Sequence, residues 1–252
     1  EAEKMESLGR LAGRVAHDLN NVLVGLVSYP DLLLSRLPED SDLRGPLSRM
    51  KESGQKAAAI VEDLLTLARR SVHQEKILNL NHVVNAYLES PEFGRLKSEN
   101  PDVEIQTELE PSLLNMRGSE LHLSKTLMNL CANAFEAMAG GGRLVVKTSN
   151  QYVNRPIDGY DSVREGDYVA LCVMDTGVGI APEARKRIFE PFYTRKEMGR
   201  SGTGLGLTVV WGAVSDHHGY IDVKSVEGAG TTFTLYFPVA REPIAEAELD
   251  AS

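Results

Sequence analysis

From Lys4 to about Arg70, apolar residues recur every three or four positions. Leu8, Leu11, Val15, Leu19, Val22, Leu26, Tyr29 and Leu33 form one seam, a period that belongs to an amphipathic helix. Pro38-Glu39-Asp40-Ser41-Asp42 interrupts it with turn formers and a capping candidate. A second seam then runs through Leu43, Leu47, Met50, Gly54, Ala57, Val61, Leu64 and Leu67. Two long helices joined by a short loop predict an antiparallel hairpin. One hairpin has too little core, so two copies are expected to pair as a four-helix bundle, which makes the chain a homodimer. Pro30 removes a helical hydrogen bond and predicts a kink in the first helix.

Past Ser71 the period changes. Helical stretches at about 80–90, 119–138, 182–189 and 204–217 alternate with the β-rich runs Val103–Leu109, Leu144–Thr148, Tyr168–Met174, Tyr220–Ser225 and Thr231–Phe237. Helices grouped against a mostly antiparallel sheet make an α/β sandwich, so the whole chain is read as α+β. The predicted organisation is a helical domain at 1–72, a linker at 73–79, a second domain at 80–241 and an Ala/Glu-rich tail at 242–252.

With 42% apolar residues the chain can bury a real core. It contains no run of about 18 uncharged apolar residues, so no membrane contact is expected of it. There is no secretory signal, and the chain opens on Glu1, which suggests a fragment with an input region upstream. Cys131 and Cys172 lie in apolar runs without metal-ligand spacing and read as free thiols of a reducing, cytoplasmic compartment. A net charge of −9 argues against a nucleic-acid surface. It leaves room for a nucleotide bound through backbone donors and a metal ion.

Two constellations carry chemistry. In the first, Gly13, His17 and Asn21 share a helix face two residues beyond a seam position, with Asp18 next to the histidine. Asp18 can accept a hydrogen bond from one ring nitrogen and leave the other a better nucleophile. A lone helical histidine is usually just solvated; His-Asp-x-Asn-Asn on a Gly-flanked helix is harder to dismiss. In the second, Asp175-Thr176-Gly177-Val178-Gly179-Ile180 follows a strand. Gly177 and Gly179 let backbone approach a flat ligand, and Asp175 can accept from an exocyclic amine. Downstream, Gly202, Gly204 and Gly206 open a helix whose N–H groups and dipole favour phosphate. The spacing and the preceding polar loop do not fit a dinucleotide fingerprint. Asn129 and Asn133, four apart on another helix, present amide oxygens on one face, which suits Mg²⁺.

These pieces together resemble the sensor histidine kinases of two-component systems. His17-Asp18-Leu19-Asn20-Asn21 is similar to the H box of the HisKA dimerisation and phosphotransfer domain. Asn129–Met138, Asp175–Ile180, Ile188-Phe189-Glu190-Pro191-Phe192 and Gly202–Leu207 resemble, in family order, the N box, first glycine box, F box and second glycine box. The ATP-binding domain these imply is of the gyrase, Hsp90 and histidine-kinase type. The resemblance implies His17 as phosphoacceptor, Asp18 as its acid/base partner and Asn21 as the residue orienting water to dephosphorylate a response regulator. It implies ATP and Mg²⁺ as cofactors, with Asn133 on the metal, Asn129 near the phosphates and Asp175 on the adenine amine. Residues 190–206 would form the ATP lid, anchored by Phe192, with Lys196 reaching the phosphates. The implied partners are a second copy and a response-regulator receiver domain, separate or fused downstream.

The sequence departs from many relatives at Phe135-Glu136, where a basic residue could assist the phosphates. Arg195 or Lys196 would supply that charge instead. An ATPase of the same superfamily would carry a glutamate four residues before the metal-binding asparagine. Here that position is Asn129, a poor base, which disfavours hydrolysis by water. A non-catalytic scaffold that docks a receiver domain is the rival from another class, and the intact boxes weigh against it.

Overall fold

The computed structural model describes residues 19, 23–68, 75–158, 160–193 and 204–242. The chain divides into two units, Glu1–Val72 and His73–Ser252. No helix among the described residues is long and apolar enough to cross a membrane.

The first unit is a helical hairpin. Helix α1 (residues 23–36) continues through Pro30, which is buried, and α2 spans Arg44–Ala68. The turn between them closes on Arg44, whose Nη1 donates to Leu34 O (2.9 Å) and Leu37 O (3.0 Å). Those carbonyls end α1 and lack helical partners, so the second helix caps the first. The face of α1 turned to α2 carries Leu23 and Val27. Leu23 packs with Val61, Ala57 and Ala58, and a Cβ on Gly54 would lie 3.1 Å from Leu26 O and from Val27 Cγ2. Gly54 therefore sets how closely the helices approach. The seam read from the sequence is a different stripe: Leu19, Leu26, Tyr29 (69% exposed) and Leu33 are exposed in the single chain. A helix that packs in two directions has two apolar stripes, and the sequence reading followed the outer one.

In the second unit the elements run β1 (Lys76–Leu78), α3 (Leu80–Leu88), α4 (Pro91–Glu99), β2 (Val103–Glu108), β3 (Asn115–Gly118), α5 (Glu120–Ala137) and β4 (Gly142–Val153). There follow β5 (Ile157–Asp158), β6 (Ser162–Val163), β7 (Gly166–Asp175), α6 (Pro182–Arg185), α7 (Gly206–Asp216), β8 (Tyr220–Val226) and β9 (Gly230–Ala240). The main sheet has the order β1-β3-β9-β7-β4-β2, with β8 also paired to β9. Pairing is antiparallel except for β2 with β4. Lys76–Leu78, read above as linker, is thus a strand of the sheet. The expected helix at 182–189 stops at Arg185, and Ile188 and Phe189 beyond it enter the core.

Alternation along the strands sorts the side chains. Leu144, Val146, Val169, Leu171, Val173, Phe233, Leu235 and Phe237 meet Leu127, Leu130 and Ala134 of α5 and Val210 and Val214 of α7 in one core. On the opposite face Val153, Tyr168, Ala170 and Tyr236 form a small second core with Val163 of the β5–β6 hairpin. Cys131 is a free, buried thiol, pushed up to about 12 by burial and so neutral. Cys172, also free, is half-buried.

His217 fixes the two helices that carry the site. Its Nε2 accepts from Ser119 N–H (2.8 Å) at the start of α5, and its Nδ1 lies 2.6 Å from Ala213 O at the end of α7. Both bonds are met by the Nδ1–H tautomer. The ring fills the space beside Gly118, where a Cβ would fall 2.6 Å from its Cδ2. His217→Ala therefore leaves the buried Ser119 N–H unpaired, takes from Ala213 O one of its two donors, the other being the N–H of residue 217 itself, and opens a cavity. Thermal unfolding is expected to register a loss of about 2–4 kcal/mol.

Candidate functional site: a nucleotide cleft

At the far end of α7 from His217, α5 and β7 converge. The ring of His217 ties the C-terminus of α7 to the N-terminus of α5, and Gly206 at the start of α7 lies against Asn129 in mid-α5, so the helices run antiparallel. A Cβ on Gly206 would sit 3.2 Å from Asn129 Oδ1. The Asn129 Nδ2 is buried and meets no acceptor among the described residues. A buried amide donor costs free energy unless something accepts from it, and the oxygen of the same amide is the atom set against Gly206. The residue at the N-cap of α7 is Leu205, whose side chain makes no capping bond.

One turn further along α5, Asn133 is half-buried and, with Glu136 and Ala137, forms one wall of a cleft of about 260 Å³. Asp175, at the end of β7, and Thr231, its register partner at the start of β9, also line it. Val178, Ile180, Ile188, Leu207 and Phe233 supply apolar surface. A mostly apolar cleft with a few convergent polar groups suits a flat heteroaromatic ring.

Asp175 is only 6% exposed. Its Oδ1 accepts from Gly177 N–H (2.8 Å), and Thr231 N–H also donates to the carboxylate. Burial raises its pKa above the ordinary aspartate range, and the two backbone donors pull the other way. A carboxylate stripped of water but still short of partners favours a ligand that donates to it.

The loop after Asp175 is held on both sides. Val178 N–H donates to Ala137 O (3.1 Å), and a Cβ on Gly177 would lie 2.5 Å from that oxygen. Gly228 N–H donates to Val178 O (2.8 Å), and Ile180 N–H donates to Ser225 Oγ (2.8 Å). Gly179 takes φ +68° where its missing Cβ would lie 2.1 Å from Val226 O. The two glycines are thus required by backbone approach within the protein, to α5 on one side and to the β8–β9 turn on the other.

Past α6, Phe189 is buried and packs edge-on against Phe233 and Tyr160. Thr208 Oγ1 donates to its carbonyl (3.1 Å). Phe192 differs from expectation: its ring is 60% exposed, and it is not among the residues lining the cleft. It contributes backbone instead, with φ +64° and an N–H that donates to Gly204 O (3.0 Å). Gly204, at φ +68°, must lack a Cβ because one would fall 2.6 Å from Phe192 C. The apolar anchor of this region is Phe189.

The structure therefore brings Asn133 and Asp175 into one cleft, with Gly179 in its lining. Asn129 and Gly206 meet at the start of α7, while Gly177 and Gly204 act on backbone geometry. His17, Asp18, Asn21, Lys196 and Gly202 lie outside the described residues. The sequence reading missed Thr231, Tyr193 and the apolar lining. The signal for Thr231 was Gly230 before it, whose φ of +110° and would-be Cβ 2.1 Å from Asp175 O mark the crossing beneath the cleft.

Mg²⁺ fits this donor set in a limited way. Among the described residues no three His, Cys, Asp or Glu side chains gather as a metal cage. An amide oxygen from Asn133 beside phosphate oxygens and water is the arrangement Mg²⁺ ordinarily takes in nucleotide sites.

Residues 7–71 match the family described as the His Kinase A (phospho-acceptor) domain. Residues 118–241 match the Histidine kinase-, DNA gyrase B-, and HSP90-like ATPase. The chain is 33% identical to Sensor kinase CckA of Brucella abortus over 94% of its own length and 25% of that protein. It is 29% identical to Sensor histidine kinase ZraS of Escherichia coli over 94% of the chain and 47% of the relative. Full-length ShkA, solved in complex with AMPPNP, is similar with a TM-score of 0.68 and 26% identity, covering 93% of this chain and 46% of that one. The chain thus spans between a quarter and about half of these relatives. With both domain families matched in order along it, the chain belongs to the sensor histidine kinases of two-component systems.

Proposed function

We propose that this chain binds ATP with Mg²⁺ in the cleft and transfers the γ-phosphoryl group to His17. The phosphoryl group then passes to an aspartate of a receiver domain. The observation that carries the reading is the polar layout of the cleft. Asp175, Thr231 and Asn133 line the cleft, and Asn129, whose buried Nδ2 lacks an acceptor among the described residues, lies beside Gly206 at the start of α7. Adenine would donate its exocyclic amine to Asp175, and the phosphates would run toward Asn129 and Gly206. Mg²⁺ neutralises phosphate charge when bound, and Asn133 is the residue that would hold it.

In the transfer, a ring nitrogen of His17 attacks the γ-phosphorus and the bond to the β-phosphate oxygen breaks, releasing ADP. Asp18 holds the other ring nitrogen and stabilises the positive charge that forms there. Such a step needs little covalent help beyond positioning and charge neutralisation. Asn129 is no base for water, which favours a stored nucleophile over hydrolysis. In the same reading the exposed stripe of Leu26, Tyr29 and Leu33 is covered by a second copy in a four-helix bundle. Asn21 orients water when the phosphoryl group is removed from a receiver partner, and the unit works in the cytoplasm, where ATP is.

The test is incubation with γ-labelled ATP and Mg²⁺. The unaltered chain should take up label that is labile in acid and stable in base, as a phosphohistidine is. His17→Gln should take up none, and Asn133→Ala should take up little. Label retained by His17→Gln, or label that survives acid, would overturn the reading.

A further inference from the structure

Tyr193 lines the same cleft, and a cation lies over its ring. The Arg187 guanidinium lies 4.5 Å over the centroid of the Tyr193 ring. Arg187 Nε in turn donates to Glu190 Oε2 (2.9 Å). The backbone places the same residues: Glu190 N–H donates to Arg187 O (2.9 Å), and Tyr193 N–H donates to Glu190 O (3.1 Å). Between them Phe192 holds its left-handed backbone, clasped to Gly204 O. A residue with a Cβ is disfavoured in that region. The fold accepts this cost at the position that turns the chain so that the next ring, Tyr193, faces the cleft. Arg187 is more than half exposed, whereas Tyr193 is half-buried. The exposed guanidinium thus lies over a ring that also lines the cleft.

We propose that Arg187, oriented by Glu190, is a positioning residue that holds Tyr193 as the aromatic wall against which the base of the bound nucleotide packs. The inference rests on the ATP reading above, but it concerns the base end of the ligand and not the phosphates. A guanidinium on one face of the ring fixes its tilt by cation–π attraction. It also spares the base the entropy of ordering a loose tyrosine.

The experiment is calorimetric titration with a non-hydrolysable ATP analogue, with AMP and with inorganic tripolyphosphate. Tyr193→Ala should weaken the analogue and AMP about tenfold. Arg187→Ala should weaken both about two- to fivefold, the range of an exposed cation–π pair. Arg187→Lys, which keeps a cation near the ring, should recover most of the loss. Tripolyphosphate binding should be the same in all four proteins. In the Tyr193→Ala background, Arg187→Ala should have no further effect, because its influence passes through the ring. Three results would overturn the proposal: loss of tripolyphosphate binding in Arg187→Ala, which makes it a phosphate contact; an equal loss in the Tyr193→Ala background; or unchanged affinity for AMP. Failure of the unaltered chain to bind any of the three ligands overturns the ATP reading and this inference together. Binding by the unaltered chain with no effect of Arg187→Ala overturns the inference alone.

Discussion

Asp175→Asn is expected to lower affinity for ATP about a hundredfold while leaving the folded domain within about 1 kcal/mol of its original stability. The carboxylate is 6% exposed and accepts backbone N–H groups from Gly177 and Thr231. In the variant the amide oxygen keeps a backbone donor, and the amide NH₂ is left facing the cleft. A purine amine entering there meets a donor where it needs an acceptor. Losing a hydrogen bond to a charged group costs about 1.5–3 kcal/mol, and burying an unpaired donor adds to it. Folding loses less, because the native state no longer strips water from an ionised group.

The pH dependence follows from the same burial. Asp175 titrates above the ordinary aspartate range in the folded protein. The native state therefore holds the proton more tightly than the unfolded chain does. This group's penalty on stability is full above its folded pKa and fades as pH falls through it. On the proposed reading binding goes the other way: the adenine amine would donate to the carboxylate, so affinity should fall as the group protonates. That loss begins at a higher pH than an aspartate near about 3.9 would give. Thermal shift by ATP, measured from neutral to mildly acid pH, should decline in the unaltered protein and be small and flat in Asp175→Asn. An undiminished shift in the variant would remove Asp175 from the base-recognition site.

Local spacing made half of this site legible in the sequence. Asn129 and Asn133 are four apart on a helix, so their shared face follows from the helical period alone. Asp175 and Gly177 stand two apart and make a local bond, Gly177 N–H to Asp175 Oδ1. Thr231 and Tyr193 were not legible, because what brings them in is not local. Thr231 arrives by its register opposite Asp175, and Tyr193 by a left-handed residue and a clasp to Gly204. The fold divides in the same way. Long periodic elements such as α2, α5 and β9 announced themselves. Strands of two to four residues, such as β1, β3, β5 and β6, are too short to show a period and exist because a neighbour pairs with them. Helix α4 had a readable start in Ser90-Pro91, where Ser90 Oγ accepts from Phe93 N–H. Gly94 and a mostly polar run hid it. On the hairpin both apolar stripes were present, and only packing distinguishes the one buried within the chain from the one left outside.

Gly179→Ala should be strongly damaging to the loop that lines the cleft, and Gly228→Ala nearby is its control. Both glycines have positive φ, +68° and +80°. A left-handed conformation costs a residue with a Cβ roughly 1–2 kcal/mol, so conformation alone predicts similar effects. Space separates them. The added Cβ at Gly228 meets nothing within 4 Å, whereas at Gly179 it would lie 2.1 Å from Val226 O and 2.8 Å from Val226 C. Neither atom can swing aside like the end of a side chain. Val226 is paired to Gly230, and Gly230 itself passes against the Asp175 carbonyl. The loop must then pull away from the turn, breaking the bonds from Gly228 N–H to Val178 O and from Ile180 N–H to Ser225 Oγ. Overpacking of this kind adds about 1–3 kcal/mol. Gly179→Ala should therefore lose about 3 kcal/mol or more in thermal or denaturant unfolding, against about 1 kcal/mol for Gly228→Ala. Nucleotide affinity should fall with it, since Val178, Gly179 and Ile180 all line the cleft. Equal losses in the two variants would mean that backbone strain alone governs this loop, and that its clasp to the β8–β9 turn does not shape the nucleotide cleft.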